Sequence, residues 1–226
     1  AGLAALYQGR LKAAEAHFGV ARRMAEENFA YDPGLRALSR LLSSCQRHWA
    51  GEDADVPADQ LRADLDQVEH YDGWVDIYYA ALIVEQAQLR DPDAAIDRAR
   101  RIAGGRGLAR LDRLADAAVL LSDDRSDRMH AALALRQHLP DGLWRTDPFC
   151  WLPYLESRLA LASHFAAIDR ARAIALLDDG LSCARASGAF LHLLRLLVAR
   201  AQLLDLSGDR RQAIVDMVEA LSLAAP

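Results

Sequence analysis

The stretch "DGWVDIYYAALIVEQAQL", residues 72–89, decides how the rest of the chain is read. Trp74, Tyr78 and Tyr79 stand near its start, and aliphatic residues then follow almost all the way round the helix that the spacing predicts. A helix exposed on one side shows an apolar stripe and a polar back. Here Trp74, Tyr78, Ala81 and Glu85 share one face, Val75, Tyr79, Leu82 and Gln86 a second, and Ile77 with Val84 a third. A helix apolar on most sides needs neighbours on most sides, and stacked helix pairs supply them.

Composition agrees with this reading. The 226-residue chain is 52% hydrophobic, enough for a sizeable core. Thr occurs only at Thr146 and Lys only at Lys12, β-branched runs are nearly absent, and Ala, Leu and Arg dominate, so the chain reads as all-α. Its 27 basic residues are scattered among 32 acidic ones for a net charge of -5, without a basic block, which disfavours direct nucleic-acid contact by this segment. Cys45, Cys150 and Cys183 are odd in number, far apart and free of any C-x-x-C pair, as in a cytoplasmic protein with reduced, buried thiols. The longest uncharged runs, "IYYAALIV" and "ASGAFLHLL", are about half the length of a membrane span, and no signal-peptide pattern is present. A chain that opens at Ala1 within helical sequence and has its first Met at Met24 is expected to be a piece of a larger multidomain protein.

Outward from residues 72–89, four segments share one pattern of helix, short break, and an Ala opening the apolar stripe of a second helix. They are "YQGRLKAAEAHFGVARRMA" (7–25), "LRDPDAAIDRARRIA" (89–103), "AAIDRARAIALLDDGLSCA" (166–184) and "LSGDRRQAIVDMVEALSLA" (206–224). Their anchoring alanines, Ala14, Ala95, Ala173 and Ala213, set two intervals of about 80 residues and one of about 40, so a period near 40 predicts further pairs at the midpoints. Helical sequence stands there: "GLRALSRLLSSCQRHW" and "QLRADLDQVEHY" around the break "GEDADVPAD" (51–59), and "LARLDRLADAAVLL" followed by "SDRMHAALALRQHL". About six helix pairs result.

Helix starts carry an independent signal. Asp32-Pro33, Asp91-Pro92 and Asp147-Pro148 each place an N-cap carboxylate before a proline suited to the first helical position. Glycines at Gly9, Gly51, Gly142, Gly188 and Gly208 fall at the breaks. The expected architecture is a single domain, 1–226, built as a right-handed superhelix of antiparallel helix pairs.

The unit seen in "YQGRLKAAEAHF" and "LSGDRRQAIVDM" resembles the tetratricopeptide repeat. "GWVDIYYAALIVEQAQLRDPDAAIDRARRIAGGRGLARL" and "GDRRQAIVDMVEALSLAAP" are similar to the helical-repeat region of large LuxR-type, MalT-like ATP-dependent transcriptional regulators, over most of the chain. That resemblance implies a bacterial regulator with a P-loop ATPase before the repeats and a helix-turn-helix domain after them. The single lysine, in "GRLKAAEA", lacks the glycine-rich context of a phosphate loop. Resemblance therefore implies a sensor and relay segment, with ATP bound by a separate domain and none by this one.

Catalytic patterns are sparse. Glu69-His70 with Asp72, and His164 with Asp169, are the only acid/base neighbours worth naming, and charged helical proteins produce such neighbours readily. No H-E-x-x-H or paired Cys/His spacing marks a metal site, and the chain is read as a non-enzyme. Aligning the repeats on their alanines directs Asp116, Arg158, Arg195 and Gln202 into a concave groove, with Arg158 the first to test. Trp151 and Tyr154 open another first helix as a possible stacking pair, and Trp74 and Tyr78 are weaker candidates, the repeat register favouring packing between repeats for both. The cluster "SDDRSDRMH" (122–130) reads as a solvated break with Ser126 as a cap. The expected function is effector sensing: a small molecule or regulatory protein binds the groove and biases one of two states, with self-association as a further possibility. The alternative is a stand-alone tetratricopeptide-type interaction scaffold.

Overall fold

The structure is a computed structural model that describes residues 1–53, 56–122 and 126–224. It is 81% helix, with no strand among the described residues. Among the described residues twelve α-helices follow one another: α1 (Gly2–Tyr7), α2 (Leu11–Asn28), α3 (Pro33–Trp49), α4 (Ala58–His70), α5 (Val75–Gln88), α6 (Pro92–Arg106), α7 (Ala109–Leu121), α8 (Arg128–His138), α9 (Trp151–Phe165), α10 (Arg170–Ser187), α11 (Phe190–Leu206) and α12 (Arg210–Ala224). Two 3-10 turns, Leu143–Arg145 and Pro148–Cys150, lie between α8 and α9.

The chain divides into two compact units, Ala1–Asp112 and Arg113–Pro226. In the first, α2 packs on α1 and α3, α3 on α4, α5 on α6, and α3 also meets α5. In the second, α9 packs on α8 and α10, α10 on α11, and α11 on α12. The anchoring alanines are buried in all four second helices, Ala14 in α2, Ala95 in α6, Ala173 in α10 and Ala213 in α12. A small side chain there lets paired helices approach closely, since any larger group would overpack.

All three predicted Asp-Pro caps form. Asp32 accepts from Leu35 N at 3.0 Å, Asp91 from Ala94 N at 3.1 Å, and Asp147 from Phe149 N at 3.0 Å. The third caps a 3-10 turn, and α9 proper begins only at Trp151. Asp169 and Asp209 cap α10 and α12 in the same way, at 3.0 Å to Arg172 N and 3.2 Å to Gln212 N, without a following proline to announce them. Ser126 is not the cap of α8; Asp127 holds that position, one residue later, and makes no side-chain cap bond. Parts of the breaks at 51–59 and 122–130 (Ala54, Asp55, and Asp123 to Arg125) and the final Ala225-Pro226 lie outside the described residues.

The first and last pairs turn identically. Gly9 N bonds Leu6 O at 2.9 Å and Arg10 N bonds Ala5 O at 2.9 Å, while Gly208 N bonds Asp205 O at 3.0 Å and Asp209 N bonds Leu204 O at 2.9 Å. Gly9 (φ 69) and Gly208 (φ 86) occupy the left-handed conformation that this helix end requires.

A polar clamp repeats as well. Arg40 on α3 grips the buried Asp64 of α4 through two bonds of 2.7 and 2.5 Å, and Gln60, one turn earlier on α4, donates to the same carboxylate at 3.0 Å. In the second unit Arg200 on α11 grips the buried Asp216 of α12 at 2.7 and 2.7 Å, and Gln212 donates to it at 3.0 Å. A buried carboxylate persists in such a place because its partner guanidinium is bidentate and its remaining lone pairs are filled. The α5/α6 pair reverses the polarity, with Glu85 on the first helix and Arg98 on the second, 3.0 Å apart.

Candidate functional site

A cleft of about 570 Å³ opens in the second unit where α8, the segment after it, α9 and α10 meet. Its polar lining is Arg136 and Gln137 from α8, Asp141 from the following segment, Arg158 from α9 and Arg172 from α10. Its apolar lining is Leu133 from α8, Leu161 and Phe165 from α9, and Leu176 from α10.

Arg158 is the centre of the arrangement and only 1% exposed. Nη1 donates to Asp141 Oδ1 at 2.6 Å, Nη2 donates to the Leu139 carbonyl, and the guanidinium lies 4.2 Å over the Tyr154 ring. Nε makes no hydrogen bond and lies 3.8 Å from Asp179 Oδ2. Packing prepares this seat: a Cβ on Gly180 of α10 would come within 3.1 Å of Arg158 Cβ and 3.2 Å of Leu196 Cδ2, so the glycine leaves room for the Arg158 stem that a larger residue would crowd. Arg172 Nη2 reaches the second oxygen of Asp141 at 3.2 Å. A guanidinium offers only donors, so the polar side of the cleft is rich in donors.

The other candidates fall elsewhere. Tyr154 is fully buried; its hydroxyl accepts from Gly142 N at 2.6 Å and donates to Asp179, so it supports the floor beneath Arg158 and offers no stacking face. Burial, with help from Asp179, pushes its phenol above the ordinary value. Asp116 is buried beside Arg113, one turn earlier on α7, at 2.8 Å, which corrects its placement in a groove. Arg195 belongs to a different cluster. It pairs with the buried Glu156, whose Oε1 is also 3.1 Å from His192 Nε2, and the Trp151 and His192 rings meet in a T-shape at a centroid distance of 5.9 Å. Gln202 is exposed on α11. Arg158 is thus the one predicted groove residue in the lining of the cleft, and the structure does not bring Trp151, Arg195 or Gln202 into that lining with it.

One aromatic assignment is corrected. Trp74, favoured as filler, is 78% exposed, because it is the extended residue (φ -85, ψ 160) that precedes α5 and does not share the phase of the helix. Tyr78, which the repeat register favours as packing and keeps only as a weaker ligand candidate, is buried and bonded by its hydroxyl to Tyr71 O at 2.5 Å and Gly73 N at 3.0 Å, with Arg106 5.4 Å above its ring.

Sequence reasoning missed Asp141, Arg136, Arg172 and Phe165. Asp141-Gly142 reads simply as a turn, and the two arginines look like ordinary solvated positions on second helices. All three cysteines are buried and outside any disulfide, and burial pushes the Cys45 and Cys183 thiols up to about 12. Among the described residues no three His, Cys, Asp or Glu side chains come together to hold a metal ion, and no helix is long and apolar enough to cross a membrane. Compared with known proteins, the chain matches no family model, no curated protein and no solved structure.

Proposed function

We propose that the chain is an effector-sensing and signal-relay repeat domain of a transcriptional regulator, with the α8–α10 cleft as its ligand site. One observation carries this reading: a buried arginine is fixed on the floor of a cleft whose volume lies within the range of small-molecule sites. Such sites combine an apolar wall with a few convergent polar groups, as Leu133, Phe165 and Leu176 do here with Arg136, Asp141 and Arg172. ATP binding and DNA contact belong, on this reading, to other domains of the regulator. The repeated turns, buried alanines and Arg-Asp-Gln clamps support a tetratricopeptide-like right-handed superhelix as the fold. A small-angle scattering curve incompatible with any stacked-pair solenoid would count against it.

A thermal-shift screen of the chain with sugars, amino acids, and aliphatic and aromatic acids tests the function. A ligand that binds only the folded form at about 100 times its Kd raises stability by about 2.7 kcal/mol. No shift from any of these compounds would sink the small-effector reading.

A second reading, an interaction scaffold, draws on one feature. Ile214, Val218 and Leu221 form an exposed apolar stripe along α12. If that stripe binds protein, Val218→Glu abolishes a concentration-dependent mass change in sedimentation; a parent chain that stays monomeric at all concentrations removes self-association as its use.

A further inference from the structure

How the single carboxylate of the cleft is used limits what the cleft can take. Asp141 gives one oxygen to Arg158 at 2.6 Å and the other to Arg172 at 3.2 Å. Each oxygen therefore already faces a guanidinium group, so the charge of Asp141 is offset by Arg158 and Arg172 before any ligand arrives. Three arginines face that one carboxylate across the lining. Arg136, in the last turn of α8, has no ion-pair partner among the described residues. The cleft consequently carries uncompensated positive charge, which repels a cation and attracts an anion.

The arginines are not equivalent. Arg158 is buried and tied to Asp141, the Leu139 carbonyl and the Tyr154 ring, so its role is to hold the floor and orient Asp141. Arg136 is exposed and Arg172 is 41% exposed, so these two can turn a guanidinium toward a ligand. Beside them lie the exposed Leu133, the half-buried Phe165 and the buried Leu176. A neutral sugar needs acceptors as well as donors, and the side chains of the lining offer only two acceptors, Asp141, which already faces two guanidinium groups, and Gln137.

Resting on the reading of this cleft as the effector site, we propose that its ligand is a small monocarboxylate with an apolar body, an aliphatic or aryl acid. The carboxylate pairs with Arg136 and Arg172 through charge-assisted hydrogen bonds, and the apolar body lies against Leu133, Phe165 and Leu176.

The test uses the 226-residue chain with octanoate and 3-phenylpropanoate as probes, and 1-octanol, octylamine and glucose as comparators, read by amide NMR shifts and titration calorimetry. Both acids should perturb amides of α8, α9 and α10, bind at least about tenfold more tightly than the alcohol or amine, and weaken as salt is raised. Arg136→Ala and Arg172→Ala should each weaken octanoate by about tenfold, Arg136→Lys should restore part of the loss, and Leu133→Glu should abolish binding by placing a like charge at the mouth. The variants at Arg136 and Leu133 alter exposed side chains and should keep the parent unfolding midpoint.

Octanoate binding that survives Arg136→Ala and Arg172→Ala overturns the proposal. So does preferential perturbation of the cleft by glucose or 1-octanol, which would leave the effector-site reading standing with another ligand class. Binding of the tripeptide Gly-Gly-Leu, lost on C-terminal amidation and unmatched by octanoate, replaces the small acid with a peptide terminus. Absence of any cleft perturbation by all of these probes removes both readings together.

Discussion

Helices α5 and α9, one in each unit, open in the same way and end up with different surroundings. Each has a tryptophan at its start, Trp74 and Trp151, and within the next turn a buried tyrosine, Tyr78 and Tyr154. Each tyrosine hydroxyl accepts from the N–H of a glycine in the preceding connection, Gly73 at 3.0 Å and Gly142 at 2.6 Å, and each ring lies under an arginine, Arg106 and Arg158. The connection is what differs. In the first unit residues 71–74 suffice, Arg106 comes from α6, and it bonds Asp72 at 2.7 Å and the Glu69 carbonyl at 2.8 Å. In the second unit residues 139–150 intervene, Arg158 comes from α9 itself, and the longer segment supplies Leu139, Pro140 and Asp141 around it. One tyrosine-arginine lock closes a short connection in one place and forms the floor of a cleft in the other. Connection length, set outside the regular helices, separates a structural contact from a candidate site.

The sharpest way to break this comparison is to delete the locks. Tyr78→Ala and Tyr154→Ala should each destabilise the chain by about 3 to 5 kcal/mol, the usual cost of removing a buried large aromatic, and urea unfolding would read it. Removing only the hydroxyl, with Tyr78→Phe and Tyr154→Phe, should cost about 1 to 2 kcal/mol each. If Tyr154→Phe were neutral while Tyr78→Phe were costly, the equivalence of the two locks would fail.

The clamps come next in size. Asp64→Ala strands the Arg40 guanidinium and should cost about 3 kcal/mol. Asp216→Ala should cost about 1 kcal/mol less, because Arg200 also bonds Asp178 on α10 and keeps one carboxylate. The reverse order would show that Asp178 contributes nothing. Ala95→Leu should then cost about 1 to 3 kcal/mol through overpacking, with Ala213→Leu at the lower end because Ala213 is the more exposed, at 8% against 1%. An unchanged midpoint for Ala95→Leu would displace the repeat register.

A pH series distinguishes the second unit through Glu156 and His192. Burial opposes the charge on Glu156, but Arg195 and His192 outweigh it and hold the carboxyl well below its usual range. Burial pushes His192 below its ordinary value, against the pull of Glu156. Both groups bind fewer protons folded than unfolded, so at both the stability falls as pH falls. For His192 the loss begins below the unfolded imidazole value of about 6.5 and ends at its lower folded value; for Glu156 it begins below about 4.3. His192→Asn should flatten the upper limb of the melting-temperature profile, and an unaltered upper limb would contradict the assignment. The smallest effect is at Trp74: with the indole exposed, Trp74→Ala should change stability by no more than about 0.5 kcal/mol. A larger loss would mean that Trp74 has a partner that Trp151 finds in His192.

Sequence alone determined the helical class, the spacing of the pairs and most of their ends. Those properties are local: an alanine at a fixed interval, a carboxylate before a proline, and a glycine at a helix end act on backbone within a turn or two of themselves. Even the Arg-Asp-Gln clamp left a trace, since Gln60 and Asp64, like Gln212 and Asp216, stand four apart and therefore on one helix face. Tertiary structure alone decided which charges meet. Arg158 was legible as an unusual polar residue on an apolar helix, but its partner Asp141 lies in an irregular segment and Arg172 on another helix, where no periodicity points. Trp74 shows the same limit from the other side: a helical wheel gives it a buried face, and one extended residue before α5 turns it to solvent. Periodicity fixes orientation only inside an element, whereas clefts are made where elements and connections meet.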